Sequence, residues 1–287
     1  MIKKTGFHGR TSQLTEKFVN KSGFFIPQEY TSAQEEYLNV RNNVGVIDLS
    51  YLPKIEILGP DAETLCQTVF TRDIKKLGFK SVTYTAMLNE EGGMIDDGTL
   101  FRMCQNTFRF ICRFPETIVH ISKIAKEMKL KVIVKEATEN YNNIAIQGPN
   151  SRAVLKKIVW TTADNTGVSV LKPFNFAPAR LDFDAGTAIV VSRTGYSGEL
   201  GYEILMPPSN AEEVWDSVFD AGKEFGIKPF GLYALDLLRI ESGLIFTGKD
   251  FDGTLTPKEA GIGFVAPLSQ PDDFIGKSAL IKRNENP

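Results

Sequence analysis

Apolar residues recur along this chain at two spacings, which alternate from one short segment to the next. Strand-like runs lie at 44–49, 54–58, 107–113, 130–134, 187–192 and 202–206. Apolar residues at helical spacing predict helices over 32–42, 209–225 and 230–244, and further helices that begin near residues 61, 115 and 150. We expect residues 1–30 to form an irregular arm, and 161–180 and 245–287 to be rich in loops.

The stretch from Tyr84 to Arg102 is predicted to form two strands joined by a tight turn over Asn89–Gly93, because Asn and Gly tolerate positive φ. Asp96 and Asp97 follow inside the second strand. Asp is a poor strand residue, and two in succession point to opposite faces. At least one is therefore expected to face the interior or a cleft, where a carboxylate needs a partner. The alternative is a solvated shoulder of the hairpin.

A five-residue pattern occurs twice. Ile57–Asp61 reads I-L-G-P-D and Ile146–Asn150 reads I-Q-G-P-N, and each is followed by a helical pattern. In both, a strand ends at Gly-Pro and a helix begins beside an Asp or Asn. The repetition predicts two similar strand–turn–helix segments.

Two polar features lie further along the chain. Residues 193–201 contain three glycines, which allow a backbone to approach a ligand closely, or which belong to a wide hairpin loop. This run lacks the pattern of a phosphate loop. Asp236 and Arg239 lie three apart on an apolar helix, where an ion pair is either a structural clamp or the wall of a polar pocket.

Composition and charge narrow the class of protein. The chain has 287 residues, about two domains, and its 42% apolar and 24% charged residues are ordinary for a globular protein. The net charge of −2 gives no electrostatic case for nucleic acid or membrane binding, and no apolar run approaches a membrane span. Three cysteines without a C-x-x-C pair, and no secretory signal, indicate a reducing, cytoplasmic setting. With only two histidines, no metal site is expected.

Nine motifs then occur in a fixed order: V-G-V-I-D-L-S (44–50), I-L-G-P-D-A (57–62), M-L-N-E-E-G-G-M-I-D-D (87–97), I-Q-G-P (146–149), S-R-T-G-Y-S-G-E-L-G-Y-E-I (192–204), R-I-E-S-G-L (239–244), G-K-D (248–250), T-P-K-E-A-G-I-G (256–263) and F-I-G-K-S-A-L (274–280). Together they resemble the glycine-cleavage T-protein (aminomethyltransferase) family of folate-binding proteins.

The resemblance implies an α+β, T-protein-like fold in which two intertwined mixed α/β subdomains surround a central cavity, followed by a C-terminal β-barrel. Residues 1–50 and 141–245 would form the folate-binding subdomain, and 51–140 the subdomain that carries the central hairpin. Residues 246–287 would extend towards the barrel. The chain ends about where that barrel would begin, so we expect the barrel to be missing.

The resemblance also implies site residues. Asp97 matches the functional carboxylate and is the candidate catalytic residue. Glu203 would bind the pterin edge, which suits a carboxylate because it can accept two parallel hydrogen bonds from a 2-amino-pyrimidinone ring. The other residues expected to bind the folate are Tyr84, Tyr196, Arg239, Leu52, Phe101 and Phe176.

Two positions depart from the family pattern. Arg113 stands where the family usually has Asn, and Leu235 replaces an Arg that contacts folate. The motifs S-G-E-L-G-Y-E and R-I-E-S-G-L are also similar to a folate-dependent demethylase branch, which takes methyl groups from small molecules. Arg113 is the candidate substrate residue, because it could face a carboxylate of such a donor.

Three functions follow as hypotheses. The first is a tetrahydrofolate-dependent one-carbon transferase of the aminomethyltransferase type, with tetrahydrofolate as the acceptor and a lipoyl carrier protein as the donor. The second is a tetrahydrofolate-dependent demethylase of a small methylated metabolite. The third is a non-catalytic folate-binding protein. The expected partners are folate and one of these donors, with neither nucleic acid nor membrane.

Overall fold

The computed structural model describes residues 2–161, 167–182 and 185–285. Its contacts divide the chain into two compact units, the first formed by Met1–Tyr51 with Thr138–Leu244 and the second by Leu52–Ala137 with Ile245–Pro287. Each unit therefore combines two separate segments of the chain. The assignment of folate binding to one subdomain stays a prediction.

Fifteen strands are formed by the described residues: β1 (Lys3–Lys4), β2 (Phe18–Lys21), β3 (Phe24–Pro27), β4 (Val44–Asp48), β5 (Lys54–Leu58), β6 (Val82–Leu88), β7 (Met94–Cys104), β8 (Thr107–Ile111), β9 (Ile133–Glu136), β10 (Asn142–Gln147), β11 (Val159–Thr161), β12 (Phe176–Leu181), β13 (Ala188–Ser192), β14 (Gly201–Met206) and β15 (Ile227–Pro229). The α-helices of the same residues are α1 (His8–Thr11), α2 (Ala33–Asn42), α3 (Ala62–Val69), α4 (Thr117–Glu127), α5 (Ser151–Ile158), α6 (Gly167–Val170), α7 (Ala211–Gly222), α8 (Leu232–Glu241) and α9 (Lys277–Glu285).

The first unit is built on a seven-stranded mixed sheet in the order β11-β12-β13-β14-β10-β4-β15. Its neighbouring strands are antiparallel except β15 and β4. Tyr202 and Ile204 of β14 and Ile144 of β10 point into a core that also contains buried residues of α5 and α7. Because side chains alternate across a strand, the residues between them face away from this core.

The expected irregular arm at residues 1–30 is wrong. Strands β1, β2 and β3 form a small sheet in the order β1-β3-β2. Phe7 and Ile26 are fully buried, and Phe7 joins the core of the first unit, where its ring lies 5.9 Å from that of Trp215. The apolar residues of this segment are irregularly spaced, so their pattern does not reveal elements of only two to four residues.

The second unit is built on a five-stranded antiparallel sheet in the order β6-β7-β8-β5-β9. Helices α3 and α4 contribute to the core on one face, which contains Met87. Ala86 and Leu88 join a second core with buried residues of the segment 251–280. The segment expected to be only loop-rich therefore forms the second layer of this sheet and ends in α9.

The repeated Gly-Pro pattern forms two equivalent structures. Strand β5 leads through Gly59 into α3, and β10 leads through Gly148 into α5, with φ of +132° and +124° at the two glycines. A Cβ at Gly59 would lie 2.5 Å from a backbone oxygen, and at Gly148 2.6 Å from two such oxygens. Both positions thus require glycine for its φ and for the close approach of another segment.

Helix ends follow the sequence more closely than helix faces do. Ser32 caps α2 by accepting the N–H of Glu35, as its capping pattern predicts, and Gly226 ends the helical segment after α7 in a left-handed conformation. On α4, Ile121, Ile124 and Ala125 are buried. Val119 of the same helix is apolar yet 68% exposed, so apolar character alone does not identify the buried face.

Candidate functional site

The predicted hairpin is formed by β6 and β7, joined by the Asn89–Gly93 turn. The Asn89 side chain accepts the N–H of Gly93 at 2.8 Å, which closes the turn. Asp97 pairs with Ala86 and Asp96 with Met87, but the next pair is Met94 with Leu88. Ile95 is therefore an extra residue, a β-bulge that sets the face to which each aspartate points.

Asp97 lies on the face that Ala86 shares with the 251–280 layer. Its Oδ2 accepts the hydroxyl of Tyr84 at 2.6 Å, and its Oδ1 accepts the hydroxyl of Thr247. Burial raises the pKa of Asp97, while these two hydrogen bonds and the charge of Arg113 act in the opposite direction. Two predicted residues, Tyr84 and Arg113, are thus brought to the predicted carboxylate.

Asp96 is the more deeply buried acid, only 1% exposed. Its Oδ1 accepts the backbone N–H of Asp97 at 2.8 Å and that of Arg113 at 3.3 Å. Its Oδ2 accepts the N–H of Phe114 at 3.3 Å and the hydroxyl of Thr117 at the start of α4. Burial, the largest cause, and the adjacent Asp97 charge together raise the pKa of Asp96 to about 7, against the lowering effect of the hydrogen bonds from Thr117 and the backbone.

The Arg113 guanidinium lies 3.3 Å from the centre of the Phe246 ring, an arrangement that favours a cation over an aromatic face. Phe246 directly precedes Thr247, the residue that donates to Asp97. The arginine, the ring and the carboxylate therefore belong to one local arrangement in the second unit.

In the first unit, Glu203 lies on β14, the central strand of the seven-stranded sheet. Its neighbours Tyr202 and Ile204 point into the core, so its own side chain points to the other face. Oε1 accepts the hydroxyl of Thr194 at 2.7 Å, and Oε2 accepts the side-chain amide of Asn143 at 2.7 Å. Asn143 Oδ1 is buried, and no hydrogen-bond partner for it is found among the described residues.

The glycine-rich run at 193–201 wraps around a buried side chain. A Cβ at Gly195 or Gly201 would lie 2.1–2.2 Å from Gln147 Oε1, and one at Gly198 would lie 1.9 Å from Ser242 Oγ. Gln147 Oε1 also accepts the hydroxyl of Ser197 at 2.7 Å. These three glycines are thus required by contacts within the protein, and a close approach of a ligand to this run stays a prediction.

The remaining predicted residues occupy varied positions. Arg239 is buried, and it donates hydrogen bonds to Asp236 at 2.8 Å and to the carbonyl of Leu244 at 3.2 Å. The ion pair predicted on α8 is therefore formed. Phe101 of β7 and Phe176 of β12 are buried, whereas Leu52 and Tyr196 are half-buried. The predicted residues divide between the units: Tyr84, Asp97, Arg113, Phe101 and Leu52 lie in the second, and Tyr196, Glu203, Arg239 and Phe176 in the first.

Several residues of these arrangements were not identified from the sequence. The sequence gives Asp96 no role of its own beside Asp97, although a second acid in a strand already indicates that it has a specific partner. Thr247 lies 150 residues from Asp97, and Asn143 lies 60 from Glu203, so no local pattern could pair them.

Neither a membrane-spanning helix nor a metal-binding cluster is found in the part of the chain that the structure describes. Over residues 2–161, 167–182 and 185–285, no helix has both the length and the apolar character needed to cross a membrane. In the same part of the chain, no group of three or more His, Cys, Asp or Glu side chains is arranged to hold a metal ion.

The two main sheets and the helices packed on them define a mixed α/β protein with an acidic side chain held by hydrogen bonds on each sheet. The sequence model of the GCVT N-terminal domain matches residues 7–270. An aminomethyltransferase from Halothermothrix orenii is 34% identical over 284 residues, which cover 99% of this chain and 77% of that protein. The chain therefore belongs to the GCVT family, and the predicted resemblance is confirmed.

A second relative is named for a different enzyme activity. The trimethylamine-oxide aldolase of Ruegeria pomeroyi is 50% identical over 290 residues, which cover 100% of this chain but only 37% of that protein. The chain thus spans little more than a third of the length of this relative.

Solved structures agree on the fold. Aminomethyltransferase T of the glycine cleavage system from Bartonella henselae has a TM-score of 0.84 at 24% identity, covering 99% of this chain and 75% of that one. A heterotetrameric sarcosine oxidase from Corynebacterium sp. U-96 has a TM-score of 0.52 at 14% identity, over 79% of this chain and 97% of that one. The predicted T-protein-like fold is confirmed.

Proposed function

We propose that this chain binds tetrahydrofolate and takes part in transfer of a one-carbon unit to it. The observation that carries the proposal is Asp97, a half-buried carboxylate on a strand that accepts hydrogen bonds from two hydroxyl groups and interacts favourably with the charge of Arg113. Bound tetrahydrofolate would supply the nitrogen nucleophile that accepts the one-carbon unit. Asp97 would stabilise the positive charge that develops on the transferred carbon, because a fixed carboxylate in a site that excludes water interacts strongly with it.

Glu203 is suited to bind the pterin edge. Each carboxylate oxygen can accept two hydrogen bonds, and Glu203 uses one at each oxygen within the first unit, for Thr194 and Asn143. These two donors fix the carboxylate plane and leave capacity for a pair of parallel donors on a ligand. Asn143 Oδ1, buried and without a partner among the described residues, supplies a further acceptor beside it.

The binding claim is tested by calorimetry with tetrahydrofolate on the parent chain, Glu203→Ala and Glu213→Gln. Glu213 is an exposed acid on α7 of the same unit and serves as the matched control. We expect binding by the parent and the control, and at least about a tenfold weaker Kd for Glu203→Ala, since two charge-assisted hydrogen bonds are lost. Equal affinity in all three would contradict the role of Glu203, and no binding by the parent would contradict the proposal itself.

The catalytic claim is tested by single-turnover transfer to tetrahydrofolate. Asp97→Asn should retain folate affinity within a few-fold and lose about 10²-fold or more in rate, because the amide lacks the negative charge. A rate equal to the parent's would contradict the assignment of Asp97.

The donor separates two versions of the function. Transfer only from an aminomethylated lipoyl carrier protein would indicate an aminomethyltransferase. Transfer from a free molecule, for which trimethylamine N-oxide and formaldehyde are the first probes, would indicate the small-molecule version. The 50% identity to a trimethylamine-oxide aldolase, together with Arg113 and Leu235 in place of the family's usual residues, favours the second version.

A chain that binds tetrahydrofolate yet transfers no one-carbon unit from any of these donors would instead be a non-catalytic folate-binding protein.

A further inference from the structure

We propose that Asp96 is a positioning residue, which fixes the main chain at Arg113 and Phe114 and thereby holds the Arg113 guanidinium beside Asp97. This inference rests on the proposed function, in which Asp97 and Arg113 face the reacting groups. Asp96 itself touches neither substrate nor cofactor in this scheme.

A single oxygen sets the spacing of the two functional residues. Asp96 Oδ1 accepts both the N–H of Asp97, at 2.8 Å, and the N–H of Arg113, at 3.3 Å. The two backbone amides come from β7 and from the loop that follows β8. The last pair of the β7–β8 ladder is Thr99 with Ile111, two residues before this point, so the ladder brings the two segments together but does not bond Asp97 to Arg113. Oδ1 therefore ties the loop to the strand at the position of Asp97.

The second oxygen holds the other side of the loop. Asp96 Oδ2 accepts the N–H of Phe114 at 3.3 Å and the hydroxyl of Thr117, the first residue of α4. Both ends of the segment 113–117 are thus bound to one carboxylate, so the backbone that carries the Arg113 side chain is held in place. The Arg113 guanidinium lies 3.3 Å from the centre of the Phe246 ring. Phe246 in turn precedes Thr247, which donates to Asp97.

A carboxylate is needed because all four partners present hydrogens. The ionised carboxylate of Asp96, which prevails above about pH 7, only accepts, whereas the amide of Asn accepts at one atom and directs N–H hydrogens from the other. Asp96→Asn therefore places two donors against each other at either the Asp97–Arg113 side or the Phe114–Thr117 side. A buried acid next to another acid is also a costly choice for packing alone, since an apolar residue would avoid both desolvation and repulsion.

The anchor is tested first without any ligand, by hydrogen exchange of peptides that cover 112–117. The variants are Asp96→Asn, Thr117→Val, which keeps the side-chain shape, and Glu91→Gln, an exposed acid in the hairpin turn, as the control. We expect exchange at 113 and 114 to be at least about tenfold faster in the first two variants, with peptides of β8 unchanged within about twofold. Unchanged protection at 113 and 114 in Asp96→Asn would overturn the proposal.

The functional consequence is tested by a double-mutant cycle with the donor that the transfer assay identifies. If Asp96 acts through Arg113, then Asp96→Asn should lower turnover about tenfold with the Kd for tetrahydrofolate within threefold, and should cost less than twofold in an Arg113→Gln background. If Asp96→Asn lowered turnover by the same factor in the parent and in Arg113→Gln, then Asp96 and Arg113 would act independently, and the proposal would be overturned. Should the parent neither bind folate nor transfer a one-carbon unit, the proposed function fails, and the exchange experiment alone decides whether Asp96 anchors the loop.

Discussion

The pKa of Asp96 predicts that the second unit loses stability as the pH rises from about 4 to about 7. Burial raises the pKa of this carboxyl from 3.8 to about 7. Below about pH 4 the group is protonated in both folded and unfolded chains, so it adds no pH dependence. Between 4 and 7 the folded chain retains a proton that the unfolded chain has released, so the free energy of unfolding falls as pH rises. Above pH 7 Asp96 is ionised in both the folded and the unfolded chain, and the folded chain carries the full free-energy cost of the buried charge.

The size of this effect follows from the shift. Three pH units at about 1.4 kcal/mol each give roughly 4 kcal/mol between pH 4 and pH 8. Asp96→Asn cannot ionise and escapes this penalty, but it misplaces hydrogen bonds at a cost of about 1–3 kcal/mol at every pH. The variant should thus be less stable than the parent near pH 4.5 and equal or more stable near pH 8.5.

The chain offers separate probes for its two units. Both tryptophans, Trp160 and Trp215, lie in the first unit, and the buried thiols of Cys66 and Cys112 lie in the second. Urea unfolding followed by reaction of the thiols with dithiodipyridine, which works at acidic pH, reports on the second unit. With an m-value of roughly 2 kcal/mol/M, the midpoint difference between parent and variant should change by roughly 2 M from pH 4.5 to 8.5.

Two controls make the result decisive. Tryptophan fluorescence should show no comparable change in the first unit, and Glu91→Gln, which removes an exposed acid of the second unit, should follow the parent at all pH values. A midpoint difference between parent and Asp96→Asn that is independent of pH would refute the reasoning, because it would show that Asp96 titrates alike in the folded and unfolded chain.

Two further substitutions test the first unit by urea unfolding with tryptophan fluorescence. Glu36→Ala removes the acceptor of three backbone N–H groups, those of Tyr30, Thr31 and Gly231 at 2.6, 2.7 and 2.7 Å, and should cost about 3 kcal/mol; a loss below about 1 kcal/mol would show that water replaces the carboxylate. Gly148→Ala should cost about 2–4 kcal/mol because of its φ and its backbone contacts, whereas Gly243→Ala, at φ +67° with no atom within 4 Å, should cost only about 1 kcal/mol; equal losses would mean that the contacts at Gly148 relax.

Local pattern was sufficient for most of the elements that build the two large sheets. Strands β4, β5, β8, β13 and β14 and helices α2, α7 and α8 begin within a few residues of the predicted positions, because turn residues and apolar spacing agree there. The N-terminal sheet was not predicted, because its strands have only two to four residues and are too short to show an alternating apolar pattern. The segment 251–280 is rich in loops as predicted, but its packing on the sheet could not be predicted, because irregular backbone has no apolar period.

The two acids of the candidate site could be named from the sequence, together with Tyr84 and Arg113 beside Asp97, but the other hydrogen-bond partners of these acids could not. Asp97 and Glu203 were named through the family motifs, and each holds two side-chain hydrogen bonds within its unit. Thr247 and Asn143 could not be paired with them, since a contact between distant segments is a property of the fold rather than of any window of sequence. Their roles towards folate and a one-carbon donor stay predictions.

The bulge at Ile95 explains why strand alternation alone could not assign the two aspartates. Alternation states that Asp96 and Asp97 point to opposite faces, which the structure confirms. Counting back from Leu88 and Met94 in an unbroken register would send Asp97 to the face of α3 and α4, and Asp96 to the face of the 251–280 layer. The extra residue reverses this, so that Asp96 meets Thr117 on α4 and Asp97 meets Thr247. Residues with a low preference for strands are retained beside this bulge because the site uses them. The one inserted residue determines which acid anchors the loop and which acid faces the arginine.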